Sequence, residues 1–565
     1  MIGVIANEDQ AEIIQEFFQL FKTPWEMYHP DESYDVVMAS GTAPEGIKAK
    51  LVLVYDSNPD CGDDEAEPVH STPIQNGKLE WRGNQIPLYG QLLTFKSASQ
   101  RPICNTTSSA IAAIETNKTS PRVIRLGFGL FDEVAHLLSA GQPLQNAHTP
   151  TLDLHITMLR DLILDSGISL IEIPPLPVGH DIIACLTHDI DFVGIRQHKF
   201  DHTMWGFLFR STIGAVKNMV LGRASFWHVV ECLKAAAKLP FVYLGLARDF
   251  WSPFEWYLKV EKDLSPTYFL IPFKHRGGDN VKAPHPERRA CKYDVTDIAD
   301  WVTRLQTEGC EIGVHGIDSW HSVEKGREEL NRVANLVNQA EIGMRSHWLL
   351  RNSDTPKVLE QAGYSYDSTC GYNETLGYLN GTSQAFKPIG VQKLLELPMH
   401  IQDGALFFPG RLGLSELEAR RRSDALIDST RRLGGVLTIL WHDRSHGPER
   451  FWGNFYQQLV ETLKMHRAWF GTASRVVTWF RRRRDLAFRS FRSADGTRRI
   501  RLCGTEEKMS PPFRIRFHTA NGRDSKTEKM DFSWAGDGDL DPHLLDGHNV
   551  QEIVRPLPLN AAQVF

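Results

Sequence analysis

The sequence predicts an α/β chain whose centre is a closed or nearly closed, distorted parallel (β/α) barrel, flanked by an N-terminal α/β domain and a small C-terminal β appendage. At 565 residues the chain is too long for one core. Between 182 and 440 short apolar runs recur with helical stretches between them, which is the pattern of repeated β-then-α units. A Pro-rich stretch at 171–181, IEIPPLPVGHD, separates those units from the segment before them.

Residues 1–175 are expected to form the N-terminal domain. MIGVIA (1–6), YDVVM (34–38) and LVLVY (51–55) suit buried strands. Ile13, Ile14, Phe17, Phe18 and Phe21 make one helical stripe over 8–21. Alternating strand and helix imply a parallel sheet with helices on its faces. No Gly-rich phosphate loop follows the first strand, so nucleotide binding has no support. The acidic, polar segment 56–77 reads as a loop.

The barrel is expected over 176–482. Its strand-like runs are IIACL (182–186), TYFLI (267–271), EIGV (311–314), LLEL (394–397) and GVLTIL (435–440). An aromatic-rich insertion at 195–262 is expected to be a helical lid packed on the barrel, and the sharper alternative is a surface that rests on a membrane or holds a lipid-linked substrate. From 483 to 565, RIRL (499–502) and FRIRF (513–517) point to a small β appendage, and the tail from Trp534 to Val550 reads as loop without calcium-loop spacing.

Composition excludes some partners. A net charge of −6 leaves no basic footprint for nucleic acid, and the run Arg481–Arg484 reads as a solvated helix end. Eight scattered cysteines without a C-x-x-C pair read as core residues. The N-terminus lacks signal-peptide features, and no run of 18 uncharged apolar residues occurs. The expected location is a reducing cytoplasm, with no spanning helix and at most peripheral membrane contact.

Chemistry-bearing residues follow the apolar runs, where barrel enzymes place their sites. Leu186-Thr187-His188-Asp189-Ile190-Asp191 puts two carboxylates two residues apart at a strand end, so that one can bind a metal while the other stays free as a base. A helix N-cap with a first-turn acid would read the same way. The next clusters are His315-Gly316-Ile317-Asp318-Ser319-Trp320-His321, Met344-Arg345-Ser346-His347, Glu396 to Asp403, and Leu440-Trp441-His442-Asp443-Arg444-Ser445-His446. Any one suits packing. Five in order are hard to explain by packing alone.

This order of motifs resembles the polysaccharide deacetylases of the NodB-homology group, carbohydrate esterase family 4, over about 180–480. It is also similar to a bacterial subgroup with HGID-x-W (315–320) and WHDRS (441–445) segments. The resemblance implies Asp189 as catalytic base, Asp191 and His315 as metal ligands, Arg345 as the residue orienting the base, and His442 as general acid, with Asp403 tuning it. The family's His-x-x-x-His motif is broken here, because the fourth residue after His315 is Ser319. His347 becomes the first choice for third ligand, with Asp318 and His321 as alternatives. His442 also stands one residue nearer its leucine than in the family. The implied activity is metal-dependent N-deacetylation of an N-acetyl sugar or related intermediate of surface-polysaccharide metabolism, nucleotide- or lipid-linked. His and Asp ligation suits a divalent ion such as zinc, with cobalt, nickel and iron as alternatives. Two other readings stand beside it: a catalytically silent carbohydrate-binding scaffold, and a hydrolase of a C–N bond in a small amide.

Overall fold

The computed structural model describes residues 1–58, 74–96, 101–117, 121–222, 224–282, 285–492, 498–505, 507–520, 528–536 and 539–540. The acidic run 59–67, most of the expected 56–77 loop and the tail beyond 540 lie outside the described residues. The chain divides into two compact units, one built from 1–179, 380–389 and 478 onward, the other from 180–379 and 390–477.

The first unit holds a nine-stranded sheet. Trp25–Met27, Ile2–Ile5, Tyr34–Ser40, Ala49–Tyr55 and Arg122–Leu126 run parallel as neighbours, as the alternation of strand and helix implied. The helix Ala11–Leu20 follows the first strand and buries Ile14, Phe17 and Phe18. The other half of the sheet is antiparallel, made by Ile111–Asn117, Arg101–Thr106, Lys78–Trp81 and Asn84–Pro87. In this unit the strand Phe513–Thr519 pairs with Glu528–Trp534 and with Leu170–Glu172. A second small sheet joins Ala487–Arg492 to Arg498–Cys503.

One expectation is corrected in this unit. The Arg481–Arg484 run ends the helix Ala473–Asp485, but it is not a solvated end. Arg483 is fully buried and donates to the carbonyls of Ile173, Gln19 and Leu20. Arg484 pairs with the buried Glu16 at 2.6 Å. Unpaired carbonyls at an element's end need donors, and a guanidinium has five.

The second unit is the distorted (β/α) barrel. Its strands in chain order are Ile182–Ile190, Thr267–Leu270, Glu311–Gly316, Met344–Ser346, Tyr366–Asp367, Leu395–Glu396, Ile401–Gln402 and Val436–Leu440. In space the sheet runs sixth, fifth, fourth, third, second, first, eighth, seventh, with every pair parallel. The sixth and seventh strands do not pair, so the sheet curls but stays open. Ala468–Phe470 adds a short parallel pairing at the start of the first strand.

Strand periodicity decides what faces the interior. Ile182, Ala184, Leu186 and Ile190 of the first strand join one apolar cluster with Tyr268 and Leu270 of the second, Ile312 and Val314 of the third, Met344 of the fourth, and Leu437 and Ile439 of the eighth. Successive side chains alternate faces. The opposite face therefore takes Thr187, Asp189, Phe269, Gly313, His315, Arg345 and Thr438. All nine residues of the first strand are buried, as expected of a strand covered on both faces. Gly313 serves close packing, since a Cβ there would meet the Phe269 ring at 2.6 Å. Phe269 in turn lies beneath Arg345, 4.6 Å from ring centre to guanidinium.

Candidate metal centre

Asp191, His315 and His347 come together at the C-terminal ends of the first, third and fourth strands. His315 Nε2 and His347 Nδ1 are 2.9 Å apart. Asp191 Oδ1 lies 3.3 Å from the first and 3.2 Å from the second.

The hydrogen atoms make this triangle informative. His315 Nδ1 lies 3.0 Å from the Arg345 carbonyl, and His347 Nε2 lies 3.2 Å from the Arg289 carbonyl. A carbonyl only accepts, so each ring spends its N–H on backbone. A neutral imidazole has one N–H. The two nitrogens that face each other therefore both present lone pairs. Burial, opposed by Asp191, pushes the His347 imidazole down to about 4, which keeps it neutral at ordinary pH. Asp191 Oδ1 is buried without a hydrogen-bond donor. Three electron pairs converging within about 3 Å repel one another unless a cation lies among them. One carboxylate and two imidazoles, each ring fixed through its other nitrogen, make a donor set that fits a divalent ion such as zinc.

The chain turns sharply after this point. Trp348 and Leu349 both adopt left-handed backbone, with φ of 66° and 55°. Bulky residues rarely occupy that region, and such strain gathers at functional sites. Here it directs the chain away immediately beyond His347.

Asp189 stands beside the triangle, its Oδ2 at 3.9 Å from His315 Nε2. Arg345 holds its other oxygen, with Nη1 donating at 3.0 Å to Asp189 Oδ1 and at 2.7 Å to Thr187 Oγ1. The rest of the guanidinium is committed to Ser368, through its carbonyl at 2.8 Å and its hydroxyl at 2.9 Å. Arg345 is wholly buried, so its orientation is set by these bonds.

His442 follows the eighth strand. Asp403 accepts from its Nδ1 at 2.5 Å and from its backbone N–H at 2.8 Å, and Ser445 donates to the same carboxylate. Burial would lower the His442 imidazole, but Asp403, aided by Asp191 and Asp189, pushes it up to about 9. Asp403 itself is held down at about 2, chiefly by His442, against a burial effect that would raise it. The pair is a carboxylate and an imidazolium at neutral pH.

Of the alternatives for a third ligand, neither Asp318 nor His321 joins the triangle. They bond to each other at 3.1 Å, and Asp318 also takes the Asp279 N–H and Lys325. Ser319 is buried in the same segment, outside the donor group.

Arg289 escaped the sequence reading, and Asp443 stood in it only as part of its cluster, without a role. Arg289 is buried in a 3₁₀ turn and donates to the carbonyls of His347 (2.9 Å) and Gly316 (3.3 Å) while its own carbonyl receives the His347 N–H. It buttresses two of the three donor segments, yet no strand-end pattern marks it. Asp443 is buried with neither carboxylate oxygen hydrogen-bonded, and burial together with Asp191 raises it well above the carboxylate range.

No protein-family profile matches the sequence, and no curated protein matches it significantly. Among solved structures, a protein assigned as a polysaccharide deacetylase from Mycobacterium smegmatis is 18% identical over 55% of this chain and 95% of its own, with a TM-score of 0.33. Puue allantoinase is 15% identical over 54% of this chain and 92% of its own, with a TM-score of 0.33. Agd3, a novel carbohydrate deacetylase, is 10% identical over 96% of this chain and 99% of its own, with a TM-score of 0.34. Carbohydrate deacetylases are thus among the structures to which this chain is similar.

Proposed function

We propose that this chain is a metal-dependent hydrolase of amide C–N bonds, an N-deacetylase acting on an N-acetyl sugar or related carbohydrate intermediate. The observation that carries the reading is the triangle of three lone pairs with an independent base on one side and a protonated imidazole near it. Asp191, His315 and His347 would hold the ion, with zinc the best match to the donors. When bound, such an ion supplies a Lewis acid that polarises a carbonyl and makes water nucleophilic at neutral pH.

The protein groups divide the proton traffic. Asp189, oriented by the Arg345 Nη1 bond at 3.0 Å, takes the proton of the attacking water. His442, kept protonated by Asp403, gives a proton to the departing amine, without which a C–N bond does not break readily. His347 supplies the donor that the family motif would have placed at Ser319, so the missing histidine does not favour a silent scaffold. The carbohydrate part of the reading rests on the order of motifs in the sequence.

The test is elemental analysis of the purified protein joined to acetate release from N-acetyl sugars. One equivalent of divalent metal, activity lost on chelation and activity restored by zinc are expected. Protein that holds no metal at micromolar zinc would leave the scaffold reading in its place.

The His442–Asp403 pair gives a pH prediction. His442 is an effective acid below about 9, so kcat should fall as pH rises through that value. Asp403→Asn removes the leading anion, and the alkaline limb should move down by roughly two units toward the ordinary imidazole value of ~6.5. A pH–rate profile reads this directly, and an unmoved limb refutes the pairing. The stability effect has the matching signs. The raised imidazole stabilises the fold fully below 6.5 and loses that effect as pH rises through about 9. The depressed Asp403 stabilises it above 3.8 and loses that effect as pH falls to about 2.

A further inference from the structure

The insertion after the first barrel strand does not cover its own apolar surface. Thirteen of the twenty exposed large apolar side chains among the described residues lie between Phe200 and Leu246. Isolated exposed apolar residues need no explanation, but a concentration of this kind marks an interaction site.

Their spacing is helical. His202–Phe209, a five-residue π-helical segment Arg210–Gly214 and Ala215–Val220 run on as one rod. Met204, Phe207, Ser211 and Ala215 form its buried side. Trp205, Phe209, Ile213, Val216 and Val220 are all exposed, and their steps of four, four, three and four put them on one stripe. At about 100° per residue that stripe points almost directly away from the buried side. The helix Phe226–Tyr243 repeats the design. Val229, Cys232, Leu239 and Val242 are buried, while Phe226, Leu233, Phe241 and the following Leu244 are exposed on the opposite side. The expected lid is therefore only half packed: Phe207 and Trp251 close an internal cluster, and the outer faces remain apolar.

Charge identifies the occupant. Residues 196–248 carry eight Lys and Arg against two acids, a surplus of six positive charges in a chain whose net charge is −6. Lys217, Lys234 and Lys238 are exposed beside the apolar stripes, where their stems can lie along apolar surface and their ammonium groups reach outward. Trp205 and Trp227, 57% and 71% exposed, are residues that favour a boundary between water and hydrocarbon. No helix among the described residues is long and apolar enough to cross a membrane. Apolar stripes of large side chains, aromatic residues and flanking lysines on in-plane helices are the composition of a surface that lies in an anionic lipid interface. A second copy of this chain would bring the same six-charge surplus against itself.

We infer that the two helical segments 202–220 and 226–244 dock the protein peripherally on an anionic lipid surface. The inference stands on the insertion alone and does not depend on the metal centre. Sedimentation of the full chain with vesicles tests it, comparing phosphatidylcholine alone with vesicles containing about a third phosphatidylglycerol. Binding to the anionic vesicles, weakened by high salt, is expected, with little binding to phosphatidylcholine. Lys234→Glu with Lys238→Glu should weaken it at least ~10-fold, since each cation near such a surface contributes several-fold. Trp205→Glu with Trp227→Glu should abolish it. Both positions are exposed, so metal content and melting temperature should stay unchanged, which separates lost docking from lost fold. Failure to bind anionic vesicles, unaltered binding by the tryptophan double variant, or a solution dimer that this variant dissociates would each overturn the inference.

Discussion

Protein carrying His315→Ala is expected to purify without its divalent metal and without measurable turnover. The loss follows from the donor geometry. His315 Nε2 contacts both other donors, at 2.9 Å to His347 and 3.3 Å to Asp191, so its removal takes one corner from the triangle and leaves two groups to hold the ion. Removing a partner that merely orients a ligand typically costs 10–100-fold in metal affinity, so deleting a ligand should exceed ~100-fold. Stability offers a second readout. A metal at about 100 times its dissociation constant stabilises the folded state by ~2.7 kcal/mol. The parent protein should therefore melt lower after chelation and recover with zinc, whereas the variant should melt at one temperature in both conditions. Elemental analysis and thermal melts with and without chelator measure both effects. Full metal content in folded His315→Ala would remove His315 from the centre, and with it the lone-pair argument.

Much of that centre was legible because a barrel strand alternates strictly and ends at its site. The apolar runs located five of the eight strands, and the polar residues directly after them included Asp189, Asp191, His315 and His442. The four-residue distance from His315 was misleading, since Ser319 and His321 share its segment and only tertiary placement separates them from the donors. Met344–Ser346, Tyr366–Asp367 and Ile401–Gln402 are two or three residues long, too short for periodicity to register. Arg289 was invisible for another reason. It acts through backbone carbonyls of segments distant in sequence, and no side-chain pattern encodes that. The antiparallel half of the first unit's large sheet was likewise unmarked, as was the burial of Arg483, because a charged run reads as solvated until the carbonyls it serves are known. The insertion shows the reverse case: its aromatic residues were expected to pack, and burial divides them into a packed set and an exposed set that sequence alone does not distinguish.

Asp189→Asn should separate binding from chemistry more sharply than any other substitution in the barrel. The residue touches no donor closely, with 3.9 Å from its Oδ2 to His315 Nε2, so metal content is expected to match the parent. Asparagine keeps an oxygen that can accept from Arg345 Nη1, and Arg345 retains Thr187 and both Ser368 acceptors. The buried guanidinium does lose its anion, and breaking a buried pair of that kind is costly, on the order of 3–5 kcal/mol when one partner is removed outright. The isosteric amide retains the hydrogen bond and should limit that cost, which a melting curve will check. What asparagine lacks is any capacity to take a proton. If Asp189 is the base, kcat for acetate release should fall by roughly 10²–10⁴-fold, the usual range for one acid–base group, with KM little changed. A variant that holds metal, melts normally and still turns over at the parent rate would reassign the base. Asp443, the other buried carboxyl near Asp191, would be a weak replacement, because its raised pKa keeps it protonated when a base is needed.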